Sequence, residues 1–84
     1  MKTTIYTTTT CPFCNMQKDY MDEKGVNYTE KIVDTDETAR EEMIKESDGY
    51  LGVPYTIIEK NDGSKEKVIG FDKGRLSSIL GIDP

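Results

Sequence analysis

The sequence predicts an α/β fold in the order β-α-β-α-β-β-α, a four-stranded mixed sheet flanked by three helices. Three observations lead there. Runs rich in β-branched residues alternate with stretches whose apolar residues recur at helical spacing. Near the start, a strand, a helix and a strand follow one another through short connections, which makes the two strands parallel with a right-handed crossover. Later, the turn signal Asn61-Asp62-Gly63-Ser64 divides two strand-like runs into an antiparallel hairpin.

The elements follow in chain order. Thr3 to Thr7 places Ile5 and Tyr6 among threonines and reads as the first strand. Pro12 has the fixed φ that suits a helix's first turn, and Phe13, Met16, Gln17, Tyr20 and Met21 follow at helical spacing until Gly25, giving a helix from about Pro12 to about Lys24. Val26 to Val33 alternates as a second strand. Asp34-Thr35-Asp36-Glu37 offers several N-cap oxygens, with Asp34 and Glu37 spaced as a capping box, ahead of a second helix that carries Ala39, Met43 and Ile44 at helical spacing and ends near Ser47. Gly49 and Gly52 mark a loop. Tyr55 to Glu59 and Lys65 to Ile69 form the hairpin, Gly70-Phe71-Asp72 is a second turn, and Asp72 caps a last helix whose stripe is Leu76, Ile79 and Leu80 before Gly81.

Composition limits the classes of function. A chain of 84 residues fits a single domain over 1–84, with a thin core and 35% hydrophobic residues. A net charge of −5, with no dense cluster of Lys or Arg, argues against nucleic acid as a partner. The start Met-Lys-Thr-Thr turns polar at once, and no run approaches the roughly 20 apolar residues of a membrane span, so no membrane association is expected and the setting is read as cytoplasmic.

In such a compartment thiols are kept reduced, and a cysteine pair points to catalysis or metal binding. Both cysteines lie in Cys11-Pro12-Phe13-Cys14, at the junction of the first strand and first helix. That spacing at that place is a redox-type signal. A free thiol near pKa 8.5 is mostly protonated at neutral pH, so the nucleophile needs help. Cys11 falls at the exposed N-cap of the helix, where unpaired N–H groups and the positive end of the helix dipole favour an anion. Cys14 lies one turn in, expected to be more buried and to resolve a mixed disulfide. Pro12 stiffens the turn, and Phe13 projects an apolar ring beside the reactive sulfur. Lys18, one turn past Cys14, is a candidate positive charge or a plain solvated lysine.

Two other readings stand beside this one. Zinc needs four ligands, while the chain offers two sulfurs and no histidine, so no metal site is expected within one chain. A structural disulfide three residues apart closes too short a loop to constrain the unfolded chain much.

With the cysteines, the element order and Val53-Pro54 in place, the sequence resembles the glutaredoxins and, more broadly, the thioredoxin superfamily, over essentially its whole length. Cys11-Pro12-Phe13-Cys14 is similar to the glutaredoxin active site with Phe for the usual Tyr. Val53-Pro54 resembles the family's cis-proline dipeptide, and Gly70-Phe71-Asp72 resembles its Gly-Gly-x-Asp turn. The resemblance implies a thioredoxin-like fold, a cis Pro54, and a Val53 backbone offered to an extended substrate. It implies a monomeric thiol–disulfide oxidoreductase with no bound cofactor, acting on disulfide-containing proteins or glutathione mixed disulfides, with glutathione as co-substrate.

Two positions depart from the pattern. Thr8 stands where the family often has a Lys or Arg for a glutathione carboxylate, and Phe71 replaces a glycine beside Asp72. A Gly-Phe turn resembles that of the glutaredoxin-like hydrogen donors of ribonucleotide reductase, which take electrons from thioredoxin reductase. Asp72 would cap its helix and aim the helix end at the γ-glutamyl carboxylate. Arg40, on the second helix, is the remaining basic candidate for the glycine carboxylate, against a solvated helix face with Glu41, Glu42, Lys45 and Glu46. A binding module holding a metal or cluster between subunits is the reading from a different class.

Overall fold

A computed structural model describes residues 1–83. Its elements are β1 (Lys2–Thr7), α1 (Pro12–Glu23), β2 (Thr29–Ile32), α2 (Glu37–Ser47), β3 (Tyr55–Glu59), β4 (Lys65–Ile69) and α3 (Lys73–Leu80). The four strands form one mixed sheet in the order β2-β1-β3-β4, with β1 and β2 parallel and the other neighbours antiparallel. The βαβ unit and the hairpin are thus both present, and β3 lies beside β1 to join them.

Strand alternation sends successive side chains to opposite faces and builds two cores. Ile5, Ile58 and Val68 pack with Tyr20 and Met21 of α1 and Leu76 of α3 on one face. Tyr6, Tyr55 and Ile57 pack with Ala39 and Met43 of α2 on the other, together with Val33. None of the described helices is long and apolar enough to cross a membrane.

Four sequence expectations change in detail. The second strand is four residues, not eight, because its first residues close α1: Gly25, at φ 70°, donates to the Asp22 carbonyl and Val26 donates to the Met21 carbonyl at 2.9 Å. That pairing is a Schellman motif, with Val26 packed on the core below it. The capping box from Asp34 does not form. Asp36 caps α2 through the Ala39 N–H, while the Asp34 carboxylate turns to Thr9. Ile44 lies exposed at 37%, since α2 turns only Ala39 and Met43 fully to the sheet. Along α1, Phe13 and Met16 likewise stay outside the core that buries Gln17, Tyr20 and Met21.

Candidate active site

Cys11 has extended backbone at φ −110° and is the N-cap of α1, with Pro12 as the first helical residue. Its Sγ accepts the Cys14 N–H at 3.1 Å, one of the donors a helix start leaves unpaired. The two cysteines are joined in a disulfide. Cys14 is fully buried and Cys11 keeps 9% of its surface, so the pair is asymmetric in the expected sense. Cys11 is nevertheless less open than its place at a helix start suggests. Its sulfur is bonded inward to Cys14 and sits against that residue's amide. Phe13, between the two cysteines in the chain, is 60% exposed, and Met16 is 51% exposed.

The Val53-Pro54 peptide is cis, and Pro54 is fully buried. Gly70 donates from its N–H to the Pro54 carbonyl at 2.9 Å, so the two loops singled out by sequence are physically joined. Gly70 has φ 75°, a left-handed conformation that suits glycine. Phe71 packs its ring on Tyr20 at 5.9 Å between centroids, and Lys73 lies 5.4 Å over the other aromatic. Asp72 caps α3 by accepting the Arg75 N–H at 3.1 Å. On the opposite side of Val53, Tyr50 covers Gly52 so closely that an added Cβ would strike its ring, and it packs 6.0 Å from Tyr55. Tyr50 and Leu51 are exposed.

Lys18 has a partner that the sequence did not suggest. Its Nζ lies 2.8 Å from Glu30 Oε2, which also accepts the Thr7 hydroxyl at 2.8 Å. Burial alone would raise the Glu30 carboxyl, but the hydrogen bonds from Lys18 and Thr7 outweigh it and hold the carboxyl below its ordinary range. Asp34, fully exposed, is also lowered, by hydrogen bonds from the Thr9 hydroxyl and N–H. These two contacts tie β1 and the segment after it to β2 and its following turn. Lys18 is therefore an ion-pair partner joining α1 to β2.

Thr8 is half-buried after β1, and Arg40 is exposed on α2 with no side-chain hydrogen bond or ion pair among the described residues. The other charged residues of α2 do not all stand free. Glu42 pairs with Lys31, and Glu46 pairs with Lys65. Among the described residues, no three His, Cys, Asp or Glu side chains group as a metal site. Sequence reasoning also missed Gln17 as a polar group: it is fully buried and donates from Nε2 to Thr56 Oγ1 at 2.5 Å. Its signal was visible as an amide at a core position of an amphipathic helix.

A cis-proline loop and a cysteine pair at the start of α1, carried on this sheet, define a thioredoxin-like dithiol protein. Comparison with known proteins narrows the class. A model of the glutaredoxin family matches residues 3–62. Glutaredoxin 3 of Escherichia coli (strain K12) is 44% identical over 78 residues, covering 90% of this chain and 93% of that one. Among solved structures, a mutant of the thioredoxin-like protein BC3987 superposes with a TM-score of 0.83 at 32% identity, over 98% of this chain and 97% of that one. The glutaredoxin-like protein NrdH-redoxin from Escherichia coli, described with a thioredoxin-like activity profile, gives 0.70 at 25% identity over 100% and 97%. The chain belongs to the glutaredoxin family, and its Cys11–Cys14 pair makes it a thiol–disulfide oxidoreductase.

Proposed function

We propose that the protein reduces protein disulfides and glutathione mixed disulfides through Cys11, with Cys14 resolving the intermediate. The Cys11 thiolate attacks one sulfur of the substrate disulfide, forming a mixed disulfide and releasing the other sulfur as a thiolate. Cys14 then attacks Cys11 Sγ, the substrate leaves as its second thiolate, and the Cys11–Cys14 disulfide is regenerated. When Cys11 carries glutathione, a second glutathione thiol serves in place of Cys14, leaving as glutathione disulfide and freeing the Cys11 thiolate. Two electrons pass to the substrate, and two glutathione thiols return the protein to its dithiol form.

The carrying observation is the asymmetry of the pair: Cys11 at the helix start, accepting a backbone N–H, and Cys14 wholly buried behind it. In this reading the Val53 backbone aligns the substrate, while Pro12, Phe13 and the buried Pro54 shape the approach. Exposed Phe13, Tyr50 and Leu51 favour a substrate with apolar surface, as a protein has. The Gly70-Phe71-Asp72 turn and the start of α3 receive the γ-glutamyl carboxylate of glutathione, and Arg40 is the basic group for its other end. The expected setting is the cytoplasm, as a monomer with one domain over 1–84.

A second reading keeps the dithiol chemistry and changes the electron source to thioredoxin reductase, with ribonucleotide reductase as an acceptor. Thr8, which brings no cation, and Phe71, whose ring rests on Tyr20 beside Asp72, favour it. So does the likeness to NrdH-redoxin. Reduction of the oxidised protein by glutathione alone, set against NADPH with thioredoxin reductase, decides between the two. Efficient reduction by glutathione supports the first reading, and reduction confined to the reductase supports the second.

A further inference from the structure

The amide of Gln17 is fully buried, and its two ends are treated differently. Nε2 donates to Thr56 Oγ1 at 2.5 Å and lies 3.8 Å from Met21 Sδ, so its donors are engaged. Oε1 is buried without a hydrogen-bond partner among the described residues. A buried acceptor left unpaired carries a desolvation penalty comparable to a lost hydrogen bond, which makes this position unusual in a core.

Gln17 lies one turn after Cys14, and both residues are on the wholly buried face of α1. Residues three apart on a helix are neighbours, and helical side chains lean towards the N-terminus, which carries the Gln17 side chain back over the Cys14 position. In the disulfide, Cys14 has no proton to give. Reduction breaks the S–S bond, takes up two electrons and two protons, and places an S–H donor on Cys14. The second proton is shared between Cys11 and solvent, because the helix start favours the Cys11 thiolate. The charged groups around α1 add little at this point. Lys18 and Glu30 neutralise each other, and Asp19, Glu23 and Lys73 surround Tyr20 further along the helix.

We propose that Gln17 is a positioning residue for the redox pair: its buried carbonyl accepts the Cys14 S–H formed on reduction, holds that thiol neutral and favours the dithiol form. The carbonyl thus lacks a partner in the oxidised protein and gains one in the reduced protein. The inference rests on Cys14 being the buried member of the pair and is independent of the electron donor.

The test compares the full chain with Gln17→Met, which keeps the side chain's length and removes the acceptor. Ile58→Val serves as a control that thins the same core without touching the amide. Equilibration with dithiothreitol, whose two thiols supply the electrons and protons and become its ring disulfide, gives the reduction potential. Gln17→Met is expected to shift the equilibrium towards the disulfide roughly three- to tenfold, or about 15–30 mV more negative. Ile58→Val is expected to lower Tm and leave the potential in place. In a Cys11→Ser background, thiolate absorbance reads the Cys14 thiol directly, and Gln17→Met is expected to lower its pKa. An unchanged potential, an equal shift in Ile58→Val, or a raised Cys14 pKa each overturns the proposal, the last by showing that the amide serves the thiolate. Loss of all reductase activity in Gln17→Met with an unmoved potential also counts against it.

Discussion

Gly70 donates its N–H to the Pro54 carbonyl at 2.9 Å, linking the loop that precedes β3 to the turn that precedes α3. Both segments belong to the substrate path of the proposed function, and a backbone contact rather than a side chain holds them together. Gly70 holds φ 75°, and a Cβ there would meet open space. Gly70→Ala is therefore expected to cost about 1–2 kcal/mol through backbone strain alone, read by denaturant unfolding. The same variant is expected to raise KM for disulfide substrates with little change in the cysteines' titration.

The cysteines differ in burial, and their variants are expected to differ in activity. Cys11→Ser removes the proposed nucleophile and is expected to reduce all disulfide reductase activity to background. Cys14→Ser leaves a nucleophile without its internal resolver. It is expected to keep turnover of glutathione mixed disulfides and to trap mixed disulfides with protein substrates, visible by mass spectrometry. Full reductase activity in Cys11→Ser would remove the mechanism.

Glu30 links α1, β1 and β2 through Lys18 and Thr7, and its folded-state carboxyl is held below the ordinary value of 4.5. A lowered folded pKa means the stabilisation is fully present above that ordinary value and is lost as pH falls through the lower folded one. The pair is about a quarter exposed, so solvent screening keeps its contribution to about 1 kcal/mol. Glu30→Gln is expected to lower stability by about that amount at pH 7 and by less in acid. Urea unfolding at several pH values measures it, and a pH-independent difference would contradict the assignment.

Asp72 caps α3 by accepting the Arg75 N–H. Asp72→Ala is expected to cost about 1 kcal/mol of stability, the usual loss of a helix cap. If the start of α3 receives a glutathione carboxylate, Asp72→Asn should recover most of the stability, because Asn caps as well. Steady-state kinetics with glutathione in Asp72→Asn then report on the site itself, separate from the cap.

Phe71 rests on Tyr20 where the family turn has glycine, and a tilted aromatic pair contributes roughly 0.5–1.5 kcal/mol beyond its burial. Phe71→Gly is expected to destabilise the protein by at least that amount and to lower KM for glutathione by opening space beside Asp72. An unchanged KM would separate Phe71 from donor choice.

The strands, helices and turns were legible because their signals are local. Pro12 opens α1, Gly25 and Gly81 close α1 and α3, and Asp72 caps α3, each acting within a turn of its own position. The hairpin was bounded at Tyr55–Glu59 and Lys65–Ile69 for the same reason, with a turn signal between two β-prone runs. The second strand was read too long because alternation at Val26 and Tyr28 looks alike whether the chain pairs with a sheet or closes a helix. Its Schellman closure depends on where the preceding carbonyls point. Asp34 and Asp36 are likewise equivalent as N-cap candidates in sequence. Thr9, on another segment, takes the first and leaves the second to the helix.

The sequence by itself determined the element order, the redox-type cysteine spacing and the placement of Cys11 at a helix start, since periodicity, caps and breakers act over a few residues. Only the tertiary structure decided the strand order β2-β1-β3-β4, the contact between Pro54 and Gly70, and the pairing of Lys18 with Glu30. It also placed Gln17 against Thr56, a residue 39 positions away in the chain. A buried polar side chain must find a partner wherever packing provides one, and local spacing carries no information about which residue that is.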